Sequence, residues 1–276
     1  MSKNIFKKLA ELKEHNIPFV LTTVVDLKGS VPGKVGFKMI VESDGATTGT
    51  VGGGALEQQV RTEALQRLAG GESGLKEYLL TEDADKSQEN VEVIAMSCSG
   101  RVQIYYEVHG ALPTVYVFGG GHVGRALLYH LAPLGYHRVL IDNRPDFATK
   151  EVNPHASEWV HMEYADYARK MTPAPVSFVV ILTQGHNFDY HILKALYERN
   201  LGLPYIGVIS SRAKAAGLIR NLKKDFGEGV DLSPLHTPIG LDIGGTTAEE
   251  IALSITAEIQ AVRYGKNNGR IGSLRK

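Results

Sequence analysis

Apolar and polar positions follow two different patterns along the chain, and the change falls near residue 110. Before it, short apolar segments with helical periodicity and short apolar segments with strand periodicity alternate with glycine-rich turns, which is typical of a mixed α+β domain. The predicted elements are a helix over 2–16, strands over 19–25, 37–41, 78–80 and 102–108, and a helix after Gly54 with apolar residues at 56, 60, 64 and 68. We predict a turn over 26–34, a hairpin at Asp44-Gly45 and a solvated loop over 81–90.

After residue 110, apolar runs of strand length alternate regularly with helical patterns. Strands are predicted near 114–119, 138–142, 158–162, 177–183 and 205–210, and helices near 122–134, 164–170, 189–199 and 212–224. A last helix begins at Thr247, where Glu250 completes a capping box. This alternation indicates a parallel sheet with right-handed crossovers.

One segment of the second region carries the pattern of a dinucleotide-binding turn. Gly119, Gly121 and Gly124 follow an apolar strand and open a helix, and Asp142 ends the next strand. In such units the first glycine permits the tight turn, the second permits close approach of a pyrophosphate, and the third permits helix packing. The free N–H groups at the helix start favour phosphate, and the acid grips a ribose hydroxyl. We count His122, the first residue of the helix, with this site.

The fold class predicted from these patterns is α/β, with a C-terminal Rossmann-like parallel sheet and a smaller N-terminal α+β domain. The predicted boundaries are 1–110 for the N-terminal domain, 114–265 for the Rossmann-like domain and 266–276 for a flexible tail. The segment 109–113 is the predicted linker between the two domains.

Composition narrows the classes of function. The chain has 276 residues, with 30 Lys plus Arg against 30 Asp plus Glu, so no net field attracts nucleic acid or an anionic membrane. No apolar run reaches the about 20 residues of a membrane span, and the N-terminal pattern lacks the apolar core of a signal peptide. The single cysteine, Cys98, excludes an intramolecular disulfide. Together these features predict a cytoplasmic protein.

Two features of the N-terminal region are candidates for ligand binding. Cys98 lies in a turn of small residues before a strand, where it is either a buried filler or a thiolate that ligates a metal or reacts covalently. The triplet Gly52, Gly53 and Gly54 leads into a helix and is either a second anion cradle or a flexible connection. Glu57 in the first turn of that helix is expected to interact favourably with the helix dipole.

Polar residues also follow two later strands of the predicted parallel sheet, at the end where ligands bind in such sheets. Thr183, His186 and Asp189 follow one strand, and Asp189 either caps its helix or binds ligand. Arg212 follows another strand and is either a phosphate or carboxylate clamp or a solvated side chain. The sequence has no GxSxG, HExxH or Walker lysine motif, and no histidine spacing typical of zinc.

Taken together, these segments resemble the XdhC/CoxI family, the accessory factors of xanthine dehydrogenase and related molybdenum hydroxylases. The resemblance covers nearly the whole chain and rests on GSVPGKVGFKM, TGTVGGGALE, Cys98 with its glycine, FGGGHVGRAL with IDNR, TQGHNFD, GVISSRAK and PIGLDIGGTTAEEIALSITAEI. The chain departs from the common family pattern at Ser99, Ser210 and Ala248, where glycine, glycine and proline are usual.

The resemblance implies a cofactor carrier rather than a catalyst. Members of the family bind molybdenum cofactor, as molybdopterin or its dinucleotide form, protect it while a cysteine desulfurase adds the sulfido ligand, and deliver it to the apo-hydroxylase. On this basis Cys98 is a possible molybdenum ligand, the glycine turns cradle phosphate, and the protein is expected to be a homodimer. The fingerprint with Asp142 leaves two alternatives open: an NAD(P)-dependent oxidoreductase and a nucleotide-sensing protein. In the first, Asp142 would repel a 2′-phosphate and favour NAD, and Arg144 could offset this for NADP.

Overall fold

The computed structural model describes residues 2–82, 91–96 and 99–266. Within it the chain divides into two compact units, residues 1–111 and residues 112–276. Cys98, most of the loop predicted over 81–90 and nearly all of the predicted tail lie outside the described residues.

Unit 1 is a six-stranded sheet with two helices. The helices are α1 (Ser2–Glu14) and α2 (Gly54–Gly70); the strands are β1 (Phe19–Gly29), β2 (Lys38–Glu42), β3 (Thr47–Gly49), β4 (Gly74–Thr81), β5 (Glu92–Ala95) and β6 (Gly100–His109). The strand order is β3-β2-β1-β6-β4-β5, antiparallel except for the β4–β5 pair. Leu56, Val60 and Ala64 of α2 are buried in the sheet's core, as their four-residue spacing predicts.

The predicted elements of unit 1 are confirmed, with two corrections. β1 continues through Gly29, into the segment predicted as a turn, and pairs with β6 as far as Gly29 opposite Gly100 after a register shift beyond Val24. The last residues of β1 are mostly exposed, so this part of the strand lacks the buried apolar residues that predict one. β5 was not predicted; its four residues pair in parallel with β4.

Unit 2 is a doubly wound α/β structure, which confirms the predicted fold class. Its strands are β7 (Thr114–Phe118), β8 (His137–Asp142), β9 (Glu158–His161), β10 (Ser177–Ile181), β11 (Tyr205–Val208) and β12 (Leu235–His236). Its α-helices are α3 (His122–Leu131), α4 (Tyr164–Lys170), α5 (His186–Arg199), α6 (Arg212–Phe226) and α7 (Ala248–Arg263). All six strands are parallel, in the order β12-β11-β10-β7-β8-β9.

Helices cover both faces of this sheet, so its central strands are buried throughout. Every residue of β7 and β10 is buried, as expected for a parallel sheet with two covered faces. One core contains residues of α4, α5 and α6, and the other contains residues of α3 and α7. The capping box predicted for the last helix is present, with Thr247 as the N-cap and Glu250 returning the bond. The two-residue strand β12 was missed because it is too short to show a period.

The strand order reverses between β7 and β10, because β8 follows β7 on one side and β10 lies on the other. In open parallel sheets such a reversal creates a crevice at the carboxyl ends of the strands, where ligands bind. The residues after β7, β8 and β10 therefore form the expected site. Across the described residues, no helix combines the length and apolar character needed to cross a membrane.

Candidate functional site

The glycine turn after β7 lies at the reversal of strand order. Gly119 donates its N–H to the carbonyl of Ile141 at 2.9 Å, and Leu182 donates to the carbonyl of Phe118 at 2.8 Å. The turn is therefore fixed between the ends of β8 and β10. This arrangement brings together the predicted residues Gly119, at the start of the turn, Asp142, at the end of β8, and Thr183, which follows β10.

Two glycines of the turn are required by the fold itself. Gly119 has φ +111°, and a Cβ there would lie 2.6 Å from the carbonyl oxygen of Leu182. A Cβ at Gly124 would lie only 2.0 Å from the carbonyl oxygen of Gly119. The first glycine therefore permits the backbone conformation and the third permits the helix to pack on the turn, as the fingerprint predicts.

Gly121 differs from both, because nothing in the described structure requires glycine there. Its φ of −70° is open to any residue, and it forms the N-cap of α3. A Cβ at this position would meet no atom within 4 Å among the described residues. The turn thus leaves free space at the N-terminus of a helix, where N–H groups and the helix dipole favour an anion.

Asp142 occupies the predicted position, but its carboxylate is already bound within the protein. It is fully buried. Its Oδ1 accepts from the N–H and the Nε of Arg144, both at 2.9 Å. Its Oδ2 accepts from the N–H of Gly120 at 2.7 Å and from Nη2 of Arg144 at 2.8 Å. Since a carboxylate offers about four acceptor sites, a ribose hydroxyl could bind Asp142 only by displacing one of these donors.

These bonds also set the charge state of Asp142. Burial alone raises the pKa of the carboxyl group, because it penalises the charged form. The hydrogen bonds from Arg144 and Gly120, with the positive charge of Arg144, outweigh burial and hold the pKa below its usual value. Asp142 is therefore ionised at neutral pH and is paired with a cation.

Asn153, a residue that no sequence motif marks, holds the turn from the other side. Its Nδ2 donates to the carbonyl of Gly120 at 3.1 Å and to the carbonyl of Phe147 at 2.7 Å. The guanidinium of Arg144 lies 3.7 Å from the centre of the Phe147 ring. We call Gly120, Asp142, Arg144, Phe147 and Asn153 the Asp142 network. It fixes the turn in advance of any ligand, so that binding does not have to order it.

The polar residues after β10 mostly bind one another. Thr183 donates from Oγ1 to Oδ1 of Asp189 at 2.5 Å, and Asp189 is 3% exposed. This favours a structural role for Asp189 in the first turns of α5. His186 begins that helix.

The other two predicted residues of unit 2 are exposed at the starts of helices. His122 lines a cavity of about 560 Å³ with Arg125 and Tyr129 of the same helix and Glu249 of α7. Arg212 is the first residue of α6, and its exposed side chain has no hydrogen bond or ion pair with the described residues. The geometry therefore places His122 beside the glycine turn, and the exposed position of Arg212 fits both a clamp and a solvated side chain.

In unit 1, three turns that are separate in the sequence lie against one another. A Cβ at Gly33 would lie 2.7 Å from the carbonyl oxygen of Val51, and one at Gly52 would lie 2.6 Å from that of Pro32. Ser30 donates its N–H to the carbonyl of Ser99 at 3.0 Å. The segments GSVPGK and GTVGGG thus pack together, and the residue after Cys98 contacts the first of them. Cys98 itself lies outside the described residues.

The Gly52–Gly54 turn already holds an anion, the side chain of Glu57. Oε1 of Glu57 accepts from the N–H of Val51 at 3.2 Å, from the N–H of Gly53 at 3.0 Å and from the hydroxyl of Thr50. Glu57 lies in the first turn of α2, as expected, and in addition it makes these specific hydrogen bonds with the preceding turn. A phosphate could use these N–H groups only by displacing Glu57.

The two parts of the chain match two models of one family. Residues 115–259 match the XdhC Rossmann domain, and residues 12–79 match the XdhC and CoxI family. The chain belongs to the XdhC and CoxI family. The resemblance inferred from the glycine turns and their neighbours is thus confirmed.

Similar proteins extend this family assignment. Over 274 residues the chain is 31% identical to Uncharacterized protein YqeB of Escherichia coli (strain K12), a match covering 99% of this chain and 48% of that protein. Over 151 residues it is 27% identical to a probable xanthine dehydrogenase subunit of Bacillus subtilis (strain 168), covering 55% of this chain and 43% of that protein. The chain thus spans about half the length of the curated relatives that it matches.

A solved structure supports the fold of this XdhC-family chain. The crystal structure of a xanthine dehydrogenase from Bacillus halodurans matches with a TM-score of 0.50 and 21% identity, covering 97% of each chain. Within the described residues of the XdhC-family chain, no group of three or more His, Cys, Asp or Glu side chains could hold a metal ion.

Proposed function

We propose that this XdhC-family protein binds molybdenum cofactor, as molybdopterin or its dinucleotide form, and supports its sulfuration and insertion into a xanthine dehydrogenase-type molybdenum hydroxylase. Family membership gives the class of function. The observation that carries the proposal is the open space at Gly121, in a turn to which Asp142 and Asn153 are hydrogen-bonded. A phosphate or pyrophosphate group of the cofactor is the anion that such a turn suits.

The residues of the turn have separate roles in this proposal. The free N–H groups at the start of α3 bind the phosphate oxygens, and Gly121 admits them close to the backbone. His122 lies at the edge of the same site and lines the neighbouring cavity. The N–H of Gly120 is not available to a ligand, because it donates a hydrogen bond to Asp142. Asp142 supports the site by holding the turn.

Cys98 is proposed as the group that meets the metal end of the cofactor. Thiolate is a soft donor suited to such a metal. This role follows from the family resemblance. The proposed partners are the client hydroxylase, for which xanthine dehydrogenase is the type, and a cysteine desulfurase that supplies sulfur. The proposed assembly is a homodimer.

The test is retention of cofactor by the purified full-length protein. Molybdenum cofactor released from a denatured molybdoenzyme is mixed with the protein and passed through a desalting column. Molybdenum in the protein fraction is measured by mass spectrometry, and pterin by the fluorescence of its oxidised form. We expect the wild-type protein to retain both, and to restore activity when added to apo-xanthine dehydrogenase with a sulfur donor.

Two substitutions at one position separate charge from shape in this assay. Asp and Asn are both good N-cap residues, so Gly121→Asp and Gly121→Asn are expected to fold. Gly121→Asp should lose at least about tenfold in retention, because its carboxylate repels phosphate at a helix start. Gly121→Asn should retain more than Gly121→Asp. Equal retention by the wild type and Gly121→Asp would exclude this turn as the phosphate site, and no retention by the wild type would refute the proposal.

A further inference from the structure

Arg144 covers the acid that would hold a ribose diol in this fold. In glycine-rich dinucleotide sites the acid after the second strand accepts the 2′-hydroxyl, and a nearby arginine accommodates a 2′-phosphate. Here both oxygens of Asp142 accept two hydrogen bonds each, three of the four from Arg144. The carboxylate is saturated before any nucleotide arrives.

The exposed member of this pair is the cation. The side chain of Asp142 is 0% exposed and that of Arg144 is 34% exposed. One edge of the Arg144 guanidinium donates two hydrogen bonds to Asp142, and the centre of the Phe147 ring lies 3.7 Å from the guanidinium. These two contacts fix its position. An arginine fixed in this way loses little freedom when it binds a phosphate. A ligand entering at the end of β8 therefore meets a positive group where the motif alone predicts a negative one.

From this geometry we infer that Arg144 is a specificity-determining residue, and that the site prefers a nucleotide carrying a phosphate on the ribose at that end, as in NADP(H), over one with a free ribose diol, as in NAD(H). The inference rests on the glycine turn being a nucleotide site, and it adds a ligand class to the proposed function. A diol must displace a hydrogen-bond donor of Arg144 or Gly120 from a buried carboxylate to bind it. A ribose phosphate leaves that pair intact and gains charge-assisted hydrogen bonds.

Two pairs of probes test the preference on the full-length protein. The first pair is NADPH and NADH, followed by the change in their own fluorescence. The second is 2′-phospho-ADP-ribose and ADP-ribose, followed by calorimetry, which removes the nicotinamide from the comparison. In each pair the phosphorylated probe should bind at least about tenfold more tightly, the value of one hydrogen bond to a charged group.

A matched pair of substitutions shows whether Arg144 causes the preference. Arg144→Gln removes the charge but keeps a donor for Asp142, and it should weaken NADPH at least about tenfold while leaving NADH within about threefold. Arg220→Gln removes an exposed arginine in the middle of α6 of the same unit, away from the glycine turn. It should leave the ratio of the two affinities unchanged. Thermal unfolding of each variant confirms that it is folded before titration.

Every outcome of these titrations bears on the inference. Equal or tighter binding of NADH by the wild-type protein would overturn it, as would an unchanged ratio in Arg144→Gln. Failure of all four probes to bind at millimolar concentration would also overturn it, because no nucleotide would then occupy the turn. Retention of molybdopterin is measured separately, so a failure of this inference is distinguishable from a failure of the proposed function.

Discussion

Replacing Gly124 with alanine tests directly whether the glycines of the turn have the separate roles assigned to them. The added Cβ would lie 2.0 Å from the carbonyl oxygen of Gly119, 3.0 Å from its carbonyl carbon and 3.7 Å from Cγ1 of Val117. The first of these distances is between Cβ and backbone, so no side-chain rotation can relieve it. Helix α3 must therefore move away from the turn by about 1 Å to restore the 3.0 Å at which real contacts begin.

The cost follows from two opposing terms. Overpacking of a well-packed interior costs about 1–3 kcal/mol, and we place a clash with fixed backbone at the upper end of this range, about 3 kcal/mol. Alanine is better than glycine inside a helix by about 1 kcal/mol, which offsets part of this cost. We expect Gly124→Ala to lower the free energy of unfolding of unit 2 by about 2 kcal/mol, or the melting temperature by about 4–8 °C.

The assay uses Trp159, the single tryptophan of the chain, which lies in β9 of unit 2. Its fluorescence during urea or thermal unfolding reports unit 2 without interference from unit 1. The comparison variant is Gly121→Asn, whose side chain enters open space at an N-cap and should change stability by no more than about 0.5 kcal/mol. If Gly124→Ala has the same free energy of unfolding as the wild type, or if Gly121→Asn is destabilised as strongly as Gly124→Ala, the division of roles is wrong.

Two further substitutions test the charges that hold the two glycine turns. Glu57→Ala should destabilise the Val51–Gly53 turn by about 1–2 kcal/mol, since three donors lose a charged acceptor; hydrogen exchange of those amides should accelerate, and the exposed Glu14→Ala serves as the control. Because the folded pKa of Asp142 lies below its unfolded value, its contribution is complete above the unfolded pKa of about 3.8 and is lost as pH falls through the folded pKa. Asp142→Asn should therefore lower the free energy of unfolding at pH 7 by about 2 kcal/mol, which is less than for a fully buried pair because Arg144 is partly exposed. It should also reduce the loss of that free energy as the pH falls, measured by Trp159 fluorescence. If the free energy of unfolding falls no more steeply with decreasing pH in the wild type than in Asp142→Asn, this assignment is contradicted.

The parts of the fold that the sequence predicts are those set by local requirements. Periodic apolar stripes predict α2 and α7, because each helix buries one face. The requirement for glycine at 119 and 124 depends on backbone conformation and on a contact five residues apart, so a short motif carries it. The capping box at Thr247 is likewise complete within four residues.

The parts that the sequence does not predict depend on contacts distant in the chain or on a choice among local partners. β5 and β12 have four and two residues, and each exists because a neighbouring strand offers a parallel partner. Asn153 contacts Gly120 across 33 residues, and no local pattern marks it. Glu57 could have faced solvent as a favourable charge near a helix start, but the preceding turn brings three donors to one of its oxygens.

Asp142 shows why a motif residue in the expected position does not by itself identify a ligand. The fingerprint locates a carboxylate at the end of β8, and the structure agrees. Whether that carboxylate faces the ligand depends on Arg144, two residues later, and on the Phe147 ring that fixes the guanidinium. With the pair formed, the buried charge is negative and the exposed charge is positive. The ligand class of such a site therefore follows from the charge that remains exposed, and here that charge favours a phosphorylated ligand.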